Sequence, residues 1–205
     1  FYLILRRGYF NLYILNKVFG SAAAVVGAMT LLIGPLGHAF RFFAQFMALR
    51  RQLGLIAFIL ALAHLVTSVF FLQDHFPWQN YFNNWLPPLA GLIALLTWGY
   101  LTTLSNNTKV KSMGGDRWKK HLQIGGWVGF IAIYVHLGVM KWSGWLRWWH
   151  GEVKTSAELL NPTYPPASLF VFGVMTVVLL YRLWVKFFHK TQVPPPDILQ
   201  GRNGP

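Results

Sequence analysis

The chain has 205 residues, of which 55% are hydrophobic, 17% aromatic and only 11% charged, and its mean hydropathy is +0.42. These values are typical of an integral membrane protein and exclude an ordinary soluble enzyme. The net charge of +13 does not indicate nucleic-acid binding, because the basic residues lie in loops beside apolar segments, where they set membrane topology.

Five segments of about 20 residues carry little or no charge, and a helix of that length crosses a hydrocarbon core of about 30 Å. They predict an all-α integral membrane protein with about five transmembrane helices, at residues 18–40, 52–73, 85–108, 121–140 and 167–188. Arg182 and Lys186 interrupt the last segment near its end, where long basic side chains can reach the headgroups.

The predicted spans form one transmembrane domain, residues 18–188. Before it, residues 1–17 mix aromatic and aliphatic side chains with Arg6 and Arg7, which is typical of a segment lying at the membrane interface. After it, residues 189–205 form a Pro-rich tail.

The long connection at residues 141–166 carries Trp142, Trp145 and Trp149 at helical spacing. Because indole rings favour the headgroup region, we expect a short helix lying on the outer membrane surface. A patch that docks a partner protein is the alternative.

The basic residues are unevenly divided between the two sides of the membrane. If the five spans are correct, twelve of the 18 Lys and Arg lie on the side that carries Arg50 and Arg51. The positive-inside rule places that side in the cytoplasm. The N-terminus then lies outside and the Pro-rich tail inside.

His64 and His136 lie within the second and fourth spans, where an ionisable side chain is kept only when a partner compensates for its burial. His64 follows Arg51 by 13 residues and His136 follows Lys120 by 16. At 1.5 Å per residue they lie about 20 and 24 Å from the inner edge. Two imidazoles at similar depth predict the axial ligands of a b-type haem in the outer leaflet.

Small residues accompany the histidines on the fourth span. Gly125 and Gly129 lie within about 80° of His121 and His136 on the same helical face. This face would be flat enough for a porphyrin to lie against. Alternatively, small residues repeated every four positions serve close packing between membrane helices.

A second haem is predicted near the cytoplasmic side. His121 lies about 22 Å below His136 along the helix axis. His38 follows the Gly34-Pro35 pair, which is expected to break the first helix, and so lies at about the level of His121. The alternative is an interfacial His38 that bonds to water or lipid phosphate.

The remaining charged candidates and histidines lie outside the apolar segments. Arg50 and Arg51 are placed to neutralise haem propionates or simply to hold the end of the second helix. His75, His150 and His189 lie in loops or at the end of a span, and we expect them to be solvated.

Other redox cofactors have no ligands in this sequence. The chain contains no cysteine, which excludes iron–sulfur clusters, blue-copper sites and covalently attached haem. The five acidic residues all fall outside the spans, which argues against a proton pump.

Three strings resemble a known family. They are LLIGPL at residues 31–36, RRQLGL at residues 50–55 with His64-Leu65 following, and MGGDRWKKH at residues 113–121. The pattern is similar to that of the ferric-reductase-like transmembrane family, and most similar to the haem-binding membrane subunits of bacterial protein-methionine-sulfoxide reductase systems.

The resemblance implies a bundle that binds b-type haem and passes electrons across the membrane. His64, His121 and His136 match haem ligands of the family, whereas His38 is not part of the shared pattern. It also implies a flavin donor at the cytoplasmic face, a separate acceptor or oxidoreductase, and a location in the bacterial inner membrane.

Two functions are therefore considered. The first is an electron-transfer subunit of an oxidoreductase system that carries one or two b-type haems and is not a self-sufficient enzyme. The alternative is an accessory subunit of a larger membrane complex, whose histidines bind a chlorin pigment or no cofactor. A chlorin needs only one axial imidazole, so a pair of histidines at one depth favours haem.

Overall fold

The structure, a computed structural model, describes residues 1–188, apart from the side chains of residues 107, 110 and 188. All regular elements in this part of the chain are helices, as the sequence predicts. The Pro-rich tail and His189 lie outside the described residues.

Within residues 1–188, five helical segments are long and apolar enough to cross a membrane, which confirms the predicted number. The long helices are α2 (Leu12–Ala39), α4 (Arg50–Val66), α6 (Leu86–Leu104), α8 (Gly115–Trp149) and α9 (Ala167–Phe188). Four short helices connect or precede them: α1 (Tyr2–Arg7), α3 (Arg41–Ala44), α5 (Trp78–Asn83) and α7 (Asn107–Met113). The second membrane segment, Arg41–Phe71, comprises α3, a 3₁₀ turn, α4 and a final π-helical turn.

The five long helices form a ring. Helix α2 packs against α4 and α9, helix α8 packs against α6 and α9, and α4 meets α6 to close the ring. Residues of α2, α8 and α9 form the apolar core: Ala24, Ala28, Leu31, Phe130, Val171, Met175 and Val178. Following the predicted orientation, we call the end with Ala39 and Arg50 the inner end and the opposite end the outer end.

The first membrane helix begins earlier than the sequence predicts. It starts at Leu12 instead of residue 18, because the side chain of Asn11 accepts a hydrogen bond from the Ile14 N–H at 3.0 Å and caps the helix. The predicted interfacial segment therefore divides at residue 11. Only its first part, with the short helix α1, lies outside the membrane helix.

The expected break at Pro35 is absent, since α2 continues through it to Ala39. A proline in a membrane helix is tolerated where neighbouring groups satisfy the backbone around it. Arg50 lies beside this part of α2, and its Nε donates to the carbonyl of Thr30, five residues before the proline, at 3.1 Å.

The predicted separate surface helix after residue 141 is also wrong. Trp142, Trp145 and Trp149 belong to α8, which continues without a break to Trp149. The buried Trp145 explains the continuity, because its Nε1 donates to the Ser168 hydroxyl at 3.0 Å and its ring lies 4.9 Å from that of Phe172. These contacts attach the end of α8 to the start of α9.

An outer cap, formed by α1 and the connection at residues 150–166, covers the outer end. Arg6 donates from Nε to the Tyr164 carbonyl at 2.8 Å, and Asn161 donates from Nδ2 to the Leu5 carbonyl at 2.8 Å. Burial, together with the neighbouring charge of Arg7, lowers the pKa of the Arg6 guanidinium. The two parts of the cap, α1 and residues 150–166, are thus joined mainly through hydrogen bonds to backbone carbonyls.

Candidate functional site

His64 lies on α4 and is held by Asn16 of α2. Its Nδ1 lies 2.8 Å from the side-chain Oδ1 of Asn16 and 3.0 Å from the carbonyl oxygen of the same residue. Asn16 is completely buried, and its Nδ2 donates to the Ser68 hydroxyl, one turn beyond His64, at 2.8 Å. This chain of bonds fixes the position of the imidazole between two helices.

His136 lies on α8 and is held in a similar way by α6. Its Nδ1 lies 2.7 Å from the carbonyl oxygen of Pro87, in the first turn of that helix. A glycine faces each ring: a Cβ on Gly91 would lie 3.0 Å from His136, and a Cβ on Gly20 would lie 3.1 Å from His64. Each imidazole therefore packs directly against the backbone of a neighbouring helix.

The hydrogen bonds determine which ring nitrogen carries the proton. A carbonyl oxygen can only accept, so Nδ1 is the donor in both histidines and Nε2 keeps its lone pair. Within residues 1–188, neither Nε2 has a hydrogen-bond partner. A metal-ligating histidine has the same arrangement, with one nitrogen fixed by an oxygen and the other free to bind.

The two histidines lie on α4 and α8, which both pack against α6, and the charge of His136 acts on His64. In the described part of the chain, no three His, Asp or Glu side chains form a metal-binding group. Two imidazoles whose Nε2 atoms have no partner among the described residues could serve as the two protein ligands of a cofactor that brings its own equatorial ligands, as haem does.

Two lysines lie beside the histidine pair and were not selected from the sequence. Lys141 of α8 is within electrostatic range of both histidines, and Lys17 of α2 is within range of Lys141. The Lys17 ammonium lies 3.8 Å from the centre of the Tyr13 ring. Both lysines are partly buried and could neutralise an acidic group of a bound cofactor.

Gly125 and Gly129 serve helix packing in this structure. A Cβ on Gly125 would lie 2.7 Å from Leu101, and a Cβ on Gly129 would lie 2.5 Å from the indole of Trp98. The Trp98 ring also lies against Gly27 of α2, where a Cβ would lie 2.3 Å from the ring. The predicted flat face for a porphyrin is thus covered by side chains of α6.

No hydrogen bond or ring contact joins His38 and His121 in the described part of the chain. His121 is exposed, and its Nδ1 lies 3.0 Å from the hydroxyl of Tyr100 on α6. His38 is also exposed but lines a cavity in the inner half of the ring, whose lining does not include His121. His75 and His150 are exposed, as predicted.

This inner cavity has a volume of about 1640 Å³ and is lined by all five long helices. It extends from Arg51 and Lys119 near the inner end to Gly27 and Trp98 inside the ring. Arg50 also lines it, and lies against Gly34, whose missing side chain leaves room for the guanidinium. The predicted propionate partners Arg50 and Arg51 therefore face this cavity.

The chain matches no known family model, and no curated protein matches it either.

Proposed function

We propose that the chain is a b-type haem-binding membrane subunit that transfers electrons from a cytoplasmic donor to a separate acceptor on the outer side. The observation that carries this proposal is the paired anchoring of His64 and His136, each held through Nδ1 with a free Nε2. Haem, when bound between them, supplies reversible one-electron redox chemistry.

The protein's own contribution would be to position the two imidazoles and to limit the contact of the haem with water. Asn16 and Pro87 hold the imidazoles in the tautomer that leaves Nε2 available for iron. The surrounding helices restrict access of water, which influences the redox potential of a haem iron. Lys141 is the proposed partner of one haem propionate, because its charge acts on both histidines, and Lys17, on which the charge of Lys141 acts, is the proposed partner of the other.

The resemblance to the ferric-reductase-like transmembrane family supports the same function. It adds a flavin donor at the cytoplasmic face, a separate oxidoreductase or larger membrane complex as partner, and the bacterial inner membrane as location. All three belong to the proposal.

A second haem at His38 and His121 is a weaker proposal, because the two side chains face different surroundings. Quantifying haem per chain tests it. About one haem per chain limits the site to His64 and His136, and about two supports an inner site.

The function is tested by a reduced-minus-oxidised absorption spectrum of the purified protein, with haem quantified as the pyridine haemochrome. We expect sharp low-spin b-type bands, which are lost in His64→Ala and in His136→Ala because one axial position becomes vacant. His121→Ala is the matched control and should keep the outer haem. Protein isolated in its native complex without haem would instead favour an accessory subunit that binds a chlorin or no cofactor.

A further inference from the structure

The inner cavity has a strongly positive lining. Its basic side chains come from three different membrane helices: Arg50, Arg51, Lys119 and Arg182. No Asp or Glu lines it within the described part of the chain. Arg182 is half-buried, whereas Arg50, Arg51 and Lys119 are exposed, so this lining presents several cations that a bound anion could neutralise.

Arg182 of α9 is the least exposed of these four side chains. Its guanidinium carbon lies 5.3 Å from the centre of the Trp127 ring, which orients the group by a cation–π contact. Its Nε is buried and makes no hydrogen bond within residues 1–188. A buried donor without an acceptor destabilises the protein, and a ligand in the cavity can supply the acceptor.

Arg50 of α4 faces the same cavity. Its Nε is used by the Thr30 carbonyl, but its two Nη groups have no hydrogen-bond acceptor among the described residues. Arg50 and Arg182 are close enough to repel each other electrostatically. Two guanidinium groups that share a cavity without a carboxylate therefore form a site that a bound anion would stabilise.

We propose that Arg50 and Arg182 bind a phosphate group in this cavity, provided either by a phospholipid headgroup or by a soluble phosphate compound. Two guanidinium groups present N–H donors from different directions, which suits the several oxygens of a tetrahedral phosphate better than the two oxygens of a carboxylate. The organic part of the ligand would lie against aromatic side chains of the lining, such as Trp98 and Tyr181. This inference does not depend on haem binding by His64 and His136.

The test uses the full chain in nanodiscs and two probes. In the lipid arm, native mass spectrometry measures retention of phosphatidylglycerol in competition with phosphatidylcholine. In the soluble arm, the protein in phosphatidylcholine nanodiscs is titrated with inorganic phosphate against chloride at equal ionic strength, and thermal stability is recorded. Preferential retention in the first arm identifies a lipid phosphate, and stabilisation in the second identifies a soluble one. Failure of both arms overturns the proposal.

Variants of Arg182 test whether the measured phosphate binding comes from this site. Arg182→Gln should weaken binding by at least about tenfold, because a charged hydrogen-bonding partner is lost. Arg182→Lys keeps the charge and should bind at an intermediate level, which separates loss of the site from loss of the fold. Arg117→Gln removes a charge from an exposed position outside the cavity and is the matched control. Equal weakening in this control, or unchanged binding in Arg182→Gln, contradicts the site.

Discussion

Asn16 shows how a single amide can organise a buried histidine. Its Oδ1 accepts from His64 while its Nδ2 donates to Ser68, so one side chain joins α2 both to α4 and to the π-helical turn that follows α4. The carbonyl of Asn16 also accepts from His64. Without this amide, the imidazole would keep only the backbone carbonyl of Asn16 as a partner, and the bond between Asn16 and Ser68 would be lost.

If His64 binds haem as proposed, we predict that Asn16→Ala keeps the haem but shifts its midpoint potential, because the hydrogen bond to Nδ1 tunes the donor strength of the imidazole. The variant should also lose about 1–3 kcal/mol of stability, since Ser68 becomes an unpaired polar group. A potentiometric titration and a thermal denaturation curve measure the two effects. Ser68→Ala is the control, and it should leave the potential unchanged. An unaltered potential in Asn16→Ala would show that the backbone carbonyl alone positions His64.

The sequence predicts His64 and His136 but not their partners. A buried ionisable residue in an apolar segment is a strong local signal. A single Asn16 or Lys17 near a helix end has no periodicity and lies where polar residues are common. Only the packing of α2 against α4 places Asn16 beside His64.

At the scale of the helices, Trp98 connects α6 to both α2 and α8. Its indole occupies the space left by Gly27 and Gly129, where ideal Cβ atoms would lie 2.3 and 2.5 Å from the ring. Such distances are too short for any side chain larger than hydrogen unless the helices separate. The two glycines are therefore required for the observed helix spacing.

We expect Gly129→Ala to destabilise the bundle by about 1–3 kcal/mol, because the added methyl group overpacks the contact with Trp98. The free energy of unfolding in a detergent titration measures this change. Gly144→Ala on the same helix is the matched control, since nothing lies within 4 Å of its ideal Cβ. That variant should be neutral or gain up to about 1 kcal/mol from helix propensity. Equal effects of the two substitutions would argue against the Trp98 contact.

The outer cap provides a further test at the element scale. Arg6→Met removes the bond from Arg6 to the Tyr164 carbonyl while keeping an apolar stem. Amide hydrogen exchange of residues 156–165 should then become faster, because the segment loses a link to α1. Arg147→Met, at an exposed position of α8, should leave the exchange unchanged. No difference between the two variants would mean that other contacts hold the cap.

The helix interiors follow from hydropathy, whereas several helix ends do not. The extension of α8 to Trp149 could not be predicted, because hydropathy falls after Met140 while the helix continues. Its continuation depends on Trp145 packing against Phe172, a contact between segments. Pro35 is a similar case, since a local helix-breaking signal is overridden by the surrounding bundle.

At the scale of the whole molecule, the orientation rests on the uneven distribution of basic residues. Because the chain has no cysteine, single substitutions report topology without background. Ser156→Cys in the outer cap should react with a membrane-impermeant maleimide in intact spheroplasts. Ser112→Cys on α7 should react only after the membrane is permeabilised. The reverse pattern would invert the orientation and place the histidine pair nearer the cytoplasm.

The depth of the inner cavity affects how the membrane potential would fall across the protein. The cavity reaches from the inner end to Gly27, about 18 Å from the end of α2 at Ala39. If water and ions fill this wide, charged cavity, most of the voltage drop would fall across the remaining thickness of the bundle, which contains His64 and His136. A charge moving between the cavity and this pair crosses much of the potential, at about 2.3 kcal/mol per elementary charge for each 100 mV. If the chain transfers electrons as proposed, the rate of transfer is expected to depend on how strongly the membrane is energised.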